Sequence, residues 1–280
     1  MGRHFTHTET KGFTIIETML VLAITGMLVA GLLVGLGSSI GIQRYKDSVA
    51  TLKSQIQSQY SQIDNVTNSR DGSWTCGAAA TPVQGGGGKQ PGQTDCVVLG
   101  RYMSISGSNI VTTSVVGYST TSVSAANDVA SIKANYTLGI AKDTIQNTTL
   151  EWGSEIGWPV TGPDSKAKGT PRAISMLILR SPNSGTTYTF TTDAAPDINS
   201  VSSSTLLNMM VVGPTVPGQK QQTVCVNPSG DTVGIPATVP EKSAIYISQA
   251  ANGPSSIESR TNDTTNTLAG SDSTTPRSKC

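Results

Sequence analysis

Histidine, aromatic side chains and charge are all scarce in this chain of 280 residues. Histidine occurs only as His4 and His7, so beyond position 7 no Ser-His-Asp or Cys-His site, and no metal site that uses imidazole, can form. Charged residues make up 13% of the chain and the net charge is +1, which gives no electrostatic basis for binding nucleic acid. We predict a protein that is not an enzyme and that has no nucleic-acid partner.

Paired carboxylates, the remaining route to acid–base catalysis, also lack a convincing pattern. Glu151 and Glu155 are four residues apart, with Trp152 and Trp158 beside them. In a helix the two carboxylates would share one face, but the glycines and the proline within residues 151–159 favour a loop. We interpret this stretch as a loop anchored by its aromatic side chains rather than as a catalytic or sugar-binding site.

A glycine run at Gly85–Gly88, followed by Lys89, has some likeness to a phosphate-binding loop. The spacing is wrong, because Val83 stands where that loop needs glycine and Gln90 stands where it needs Ser or Thr. We interpret the run as a flexible connection. The chain also has no C-x-x-C pair and no calcium-loop pattern, so we predict no cofactor and no metal site.

A long apolar run near the N-terminus is the strongest structural feature of the sequence. Thr18–Ile42 contains 25 residues without an ionisable side chain. At about 1.5 Å per residue, a helix of this length crosses the roughly 30 Å hydrocarbon core of a bilayer. The run therefore predicts a single membrane-spanning helix.

A short motif lies immediately before this run. Residues 11–17 read Lys-Gly-Phe-Thr-Ile-Ile-Glu, which resembles the prepilin signature of type IV pilins and type II secretion pseudopilins. The resemblance is close over residues 11–66 and loose beyond them. It implies that a prepilin peptidase cuts between Gly12 and Phe13, that the new amine of Phe13 is methylated, and that Glu17 pairs with this amine on a neighbouring subunit. Assembly would then neutralise a carboxylate in an apolar setting.

The same resemblance defines residues 1–12 as a cleaved leader on the cytoplasmic side. The leader carries Arg3, Lys11 and Glu9, so its removal leaves an electrically neutral chain. The precursor is expected to span the cytoplasmic membrane once and then to enter an extracellular filament. The implied partners are prepilin peptidase, other pilin subunits, the inner-membrane assembly platform and, before assembly, the membrane itself.

Beyond the apolar run the spacing of apolar residues predicts that the helix continues. They recur every three or four residues, as on one face of an amphipathic helix: Tyr45, Val49, Leu52, Ile56, Tyr60, Ile63 and Val66. We predict one helix over residues 13–66, about 80 Å long, with residues 13–43 in the membrane or the filament core.

Glycines recur within the apolar half of this helix. Gly31 and Gly35, like Gly37 and Gly41, have the G-x-x-x-G spacing. This spacing permits close packing of neighbouring helices. Glycines that are merely tolerated in a membrane helix explain the pattern equally well.

Residues beyond the helix have the composition of a β-rich domain, with abundant Thr, Ser, Gly and Val. Turn residues at 181–185 and 227–230 predict antiparallel hairpins. The predicted strands are Val97–Ile105, Ile110–Tyr118, Ala173–Arg180, Thr186–Thr192, Thr223–Val226, Thr232–Ile235 and Ala244–Ser248.

These elements predict an α+β, pilin-like fold in which the long helix packs on an antiparallel sheet. Residues 67–248 would form the globular head and residues 249–280 a Ser- and Thr-rich tail. A head of this size could be one elaborated domain or two lobes.

All four cysteines lie beyond the apolar run, on the side where oxidation is expected. Two disulfides are predicted, and sequence alone allows three pairings. We favour the pairs that are neighbours in sequence, Cys76 with Cys96 and Cys225 with Cys280. The second pair would tie down the tail.

The sequence supports a structural role as a pilus subunit, and the large head favours a minor or specialised pilin. A major pilin or a type II secretion pseudopilin is the nearest alternative. Adhesion, motility and DNA uptake are roles that the family implies. An alternative of a different class is a membrane-anchored binding domain, such as an adhesin, or a hydrolase domain.

Overall fold

The computed structural model describes residues 12, 14–65, 74–85, 96–159, 172–211, 221–228, 242–248, 250–261 and 280. Several predictions lie outside these residues: the leader up to Lys11, Phe13, Val66, most of the glycine run and the strand Thr232–Ile235. Within the described residues the predicted α+β class is confirmed, with a long N-terminal helix and antiparallel sheets.

Helix α1 spans Ile15–Asp64, a length of 50 residues. Thr14 is its N-cap, and the Thr14 hydroxyl accepts a hydrogen bond from the backbone N–H of Glu17 at 3.3 Å. Glu17 lies in the first turn, where a negative charge interacts favourably with the helix dipole. The predicted helix is thus one continuous element whose bounds differ from prediction by two residues at each end.

Two short helices and twelve strands follow in the described part of the chain. The helices are α2, Asp128–Asn135, and α3, Ser203–Met209. The strands are β1 Trp74–Cys76, β2 Pro82–Gln84, β3 Cys96–Ser106, β4 Asn109–Ser119, β5 Tyr136–Ile140, β6 Gln146–Thr149, β7 Ser154–Gly157, β8 Ala173–Arg180, β9 Thr187–Thr192, β10 Gln222–Pro228, β11 Ser243–Ile247 and β12 Ile257–Thr261.

The strands form three antiparallel sheets. The largest has six strands in the order β5-β4-β3-β8-β9, with β6 also paired to β4. A four-stranded sheet has the order β12-β11-β10-β7, and β1 pairs with β2. The β3–β4 hairpin closes at Gly107, whose positive φ of 58° suits glycine.

Six of the predicted strands overlap observed ones, and β8 has the predicted bounds. The predicted 181–185 turn connects β8 to β9. The expected hairpin partner of β10, Thr232–Ile235, lies outside the described residues, within which β10 pairs with β11 and β7. The tail boundary is wrong, because β12 lies beyond residue 249 and pairs with β11.

The six-stranded sheet is covered on both faces. Along β8, Ile174, Met176 and Ile178 point into a core that contains α1 and residues of the four-stranded sheet. Leu177 and Leu179 point into an opposite core with α2 and α3. Such burial on both faces explains the continuous apolar sequence of this strand. Because both large sheets contribute to the core around α1, one elaborated head fits the structure better than two lobes.

Two disulfides join Cys76 to Cys96 and Cys225 to Cys280. These are the pairs that are neighbours in sequence, and they account for all four cysteines. The first links β1 to the start of β3. The second holds residue 280 against the buried strand β10.

Candidate functional site

The first half of α1 is an apolar surface without a partner in the chain. Ile15–Leu33 has a mean hydropathy of 2.2 and is entirely exposed. It is the only helix in the described residues that is long and apolar enough to cross a membrane. Large exposed side chains continue to Ile40, which is 50% exposed. An uninterrupted apolar surface of this length requires lipid or protein around it.

The residues of the N-terminal motif lie at the start of this surface. Gly12 and Thr14 are exposed, Glu17 is exposed in the first helical turn, and Phe13 lies outside the described residues. The structure therefore places Glu17 at the edge of the apolar surface. The pairing between Glu17 and Phe13 stays a prediction, because it involves a second subunit.

The second half of α1 is buried by the sheets. The predicted apolar face is confirmed, since its six described residues are at most 5% exposed: Tyr45, Val49, Leu52, Ile56, Tyr60 and Ile63. They belong to the core that joins both large sheets. The helix therefore changes from complete exposure to near-complete burial of one face without a break in its backbone.

Two tyrosine hydroxyls fix this buried face to the strands. Tyr45 donates to the carbonyl oxygen of Val226 at 2.8 Å and accepts from the backbone N–H of Ser243 at 2.6 Å. The hydroxyls of Tyr60 and Thr189 are 2.9 Å apart. Burial raises the pKa of Tyr45, and it raises the pKa of Tyr60 to about 12. The sequence predicts both residues on the buried face, but it does not predict these hydrogen bonds.

A buried arginine adds a polar link on the same face of α1. Arg101, on β3, donates from Nε to Oε1 of Gln59 at 3.0 Å and from Nη1 to the hydroxyl of Ser114 at 2.8 Å. Burial lowers the pKa of Arg101. Arg101 lies in the middle of a strand, and no pattern in the sequence around it predicts a contact with the helix.

A second buried arginine ties the two large sheets together. Arg172 precedes β8 and is 1% exposed. Its guanidinium donates to the carbonyl oxygen of Thr223, to Oε1 of Gln222 at 2.6 Å and to Oδ1 of Asp193 at 3.1 Å. It also lies 4.4 Å from the centre of the Trp158 ring. These contacts indicate a structural role for Trp158, in agreement with aromatic anchoring of residues 151–159.

The turn between Leu150 and Ser154 lies against α1 where the helix enters the head. Glu151–Gly153 forms a 3-10 turn and Ser154–Gly157 forms β7, so the predicted loop is wrong for the strand. Arg44 of α1 places its guanidinium carbon 4.7 Å from the centre of the Trp152 ring. Both candidate carboxylates, Glu151 and Glu155, are exposed.

The described residues contain no cluster of three or more His, Cys, Asp or Glu side chains that could hold a metal ion. An open cavity of about 620 Å³ lies between β9 and α3. Its polar lining consists of neutral side chains: Thr191, Thr192, Thr205 and Asn208. No arrangement of a nucleophile with a base is present around this cavity.

Comparison of the chain with protein-family models, with curated proteins and with solved structures finds no match. Residues 11–17 and the two surfaces of the helix that follows them are therefore the features that bear on function.

Proposed function

We propose that this chain is a structural subunit of a type IV pilus-like filament. A prepilin peptidase would remove residues 1–12, and the amine of Phe13 would be methylated. The observation that carries the proposal is a single helix, preceded by the motif at residues 11–17, with an exposed apolar first half and a second half buried in a β-rich head. The pilin-like assignment of the fold is part of the same proposal.

The exposed half of α1 supplies the physical reason for assembly. Before assembly a bilayer would cover Ile15–Leu33, and in the filament the same helices of neighbouring subunits would replace the lipid. The head would stay outside this helical bundle. A helix that is anchored at one end in a folded head can make this exchange without unfolding the head.

Glu17 would determine how neighbouring subunits align along the filament axis. A carboxylate in an apolar environment is costly unless it is paired. The free amine of Phe13 on a neighbouring subunit would provide the opposite charge. Subunits that are out of register would leave Glu17 unpaired, so the pair would favour one axial position.

We assign the chain to the minor or specialised subunits because the head is large, with three sheets and two disulfides. A major pilin or a secretion pseudopilin would have the same helix. Immunogold labelling of purified filaments separates these roles. Sparse or terminal labelling is expected, whereas continuous labelling along the shaft would identify a major subunit.

Mass spectrometry of the N-terminus of the mature chain tests the proposal directly. The expected sequence begins at N-methylated Phe13, and deletion of the prepilin peptidase should leave the leader attached. An intact Met1, or a cut at another bond, would contradict the proposal and would favour a membrane-anchored binding domain.

The substitution Glu17→Ala tests the charge pair. We expect cleavage at Gly12 to continue while incorporation into filaments falls at least tenfold. Asp143→Ala is the matched control, because it removes an exposed carboxylate of the head that lies away from α1 and should leave incorporation unchanged. Normal filaments with Glu17→Ala would refute the role of this residue in assembly.

A further inference from the structure

We propose that the end of the head where α1 enters it docks on phospholipid headgroups through Trp152 and Arg44 while α1 spans the bilayer. This inference depends on one part of the proposed function, the insertion of the first half of α1 into a membrane before assembly. It adds a lipid-binding surface on the head, built from the turn Glu151–Gly153 and the adjoining turn of α1.

The length of α1 determines where this surface lies relative to the bilayer. Glu17 and Arg44 are the charged residues that flank the apolar run, and they are 27 positions apart in a continuous helix. This separation corresponds to about 40 Å along the axis. A bilayer with its headgroup layers is about 40–45 Å thick. With Glu17 at one surface, Arg44 is therefore at the level of the opposite headgroups.

Trp152 lies at the same level, because its ring is 4.7 Å from the guanidinium carbon of Arg44. The tryptophan is 42% exposed, so much of the indole faces outward beside the helix. Tryptophan is enriched at the membrane–water interface, where its apolar ring and its N–H each find a suitable environment. The guanidinium of Arg44 has the geometry to donate to phosphate oxygens.

The backbone of Trp152 has an uncommon conformation. Trp152 has φ of +58°, in the left-handed region that bulky residues rarely occupy. The next residue, Gly153, also has a positive φ. Strained backbone at a large, partly exposed side chain is found at binding and functional sites. The turn directs the indole towards α1 at the point where the helix leaves the head.

The charges around the turn indicate which lipids are needed. Arg44 and Lys46 are basic, while Asp47, Glu151 and Glu155 are acidic, and all except the partly buried Arg44 are exposed. A surface of mixed sign does not select strongly for anionic lipid. The contact therefore needs a phosphate group and an interfacial layer, which zwitterionic phospholipids also provide.

Fluorescence quenching in nanodiscs tests the contact. The full-length chain is inserted into phosphatidylcholine nanodiscs, with or without acyl chains brominated near the headgroup. Because the chain has three tryptophans, contact of Trp152 alone should lower the total emission only by the share that Trp152 contributes. Trp152→Phe should abolish this quenching, whereas Trp74→Phe should retain it.

Two outcomes would overturn the proposal: no quenching of the inserted wild-type chain, or equal quenching in the Trp152→Phe variant. Arg44→Ala keeps all three tryptophans and should weaken the quenching, and no change would remove Arg44 from the site. Unchanged unfolding midpoints of the variants show that the head remains folded. The assay does not depend on cleavage or filament formation, so its failure leaves the N-terminal mass spectrometry result intact.

Discussion

The two halves of α1 share one backbone and have opposite surroundings. Residues 15–33 are exposed throughout, whereas residues 45–63 bury one face against sheets of the same chain. The two halves differ in the source of the apolar contacts that stabilise them. The second half obtains its apolar partners when the head folds, and the first half must obtain them from lipid or from another protein chain.

Under the proposed function, this division separates the folding of the head from the assembly of the filament along a single helix. Substitutions in the second half should act on the stability of the head, and substitutions in the first half should act on insertion and filament formation. A substitution in the first half that lowered the stability of the head would contradict this division.

The largest effect is expected from a cavity in the buried half. Ile56 is fully buried, so Ile56→Ala should lower the free energy of unfolding by about 4 kcal/mol. Leu33, in the first half, is 65% exposed, and Leu33→Ala is the matched control. Chemical denaturation in detergent, followed by tryptophan emission, measures both variants. Equal losses would show that the first half also packs on the head.

Alkaline pH should also destabilise the head, in part through the buried half of α1. The folded pKa of Tyr60 is raised to about 12 from 10.0 in the unfolded chain, so the folded state retains the proton more strongly. Its stabilising contribution, about 3 kcal/mol, is complete below pH 10 and is lost as the pH rises to 12. Tyr60→Phe should flatten this part of a plot of unfolding free energy against pH. An unchanged slope would exclude Tyr60 as its source.

A smaller effect is expected where α1 enters the head. Tyr45→Phe leaves the backbone carbonyl of Val226 and the N–H of Ser243 without their hydrogen-bond partner. Loss of these buried contacts should reduce the free energy of unfolding by about 2 kcal/mol. Thermal unfolding at neutral pH checks this value. Stability equal to that of the wild type would mean that water replaces the hydroxyl.

The smallest effect on the head is expected from the glycines of the exposed half. An added Cβ at Gly31 or Gly35 meets no atom within 4 Å, so Gly31→Ala and Gly35→Ala should change the unfolding free energy of the head by less than about 0.5 kcal/mol. Gly31→Leu should impair filament incorporation if close helix packing uses this surface. Normal incorporation would favour glycines that are merely tolerated.

The sequence predicts α1 well because its determinants are local. The uncharged run and the spacing from Tyr45 to Ile63 each specify a helix without reference to the rest of the chain. Strands with continuous apolar residues, such as β8, are also predicted. The motif at residues 11–17 can be recognised for the same reason, because its residues are adjacent in the sequence.

The missed elements depend on distant partners. Strand β7 contains glycine and glutamate, and it becomes a strand by pairing with β10 about seventy residues later. Strand β6 is exposed at every residue, so it has no alternating apolar pattern. The contact between Arg44 and Trp152 joins residues more than one hundred positions apart. Local sequence carries no record of such pairings.

The disulfide between Cys225 and Cys280 has a consequence for a chain under tension. A pull along α1 reaches the head at Tyr45, whose hydroxyl bonds to Val226, the residue after Cys225. The 55 positions between the two cysteines would add roughly 190 Å to the extended length if the bond were absent. With the bond intact, residues 225 and 280 stay joined even when the strands separate, so a force applied between β10 and residue 280 cannot extend the segment that the disulfide closes.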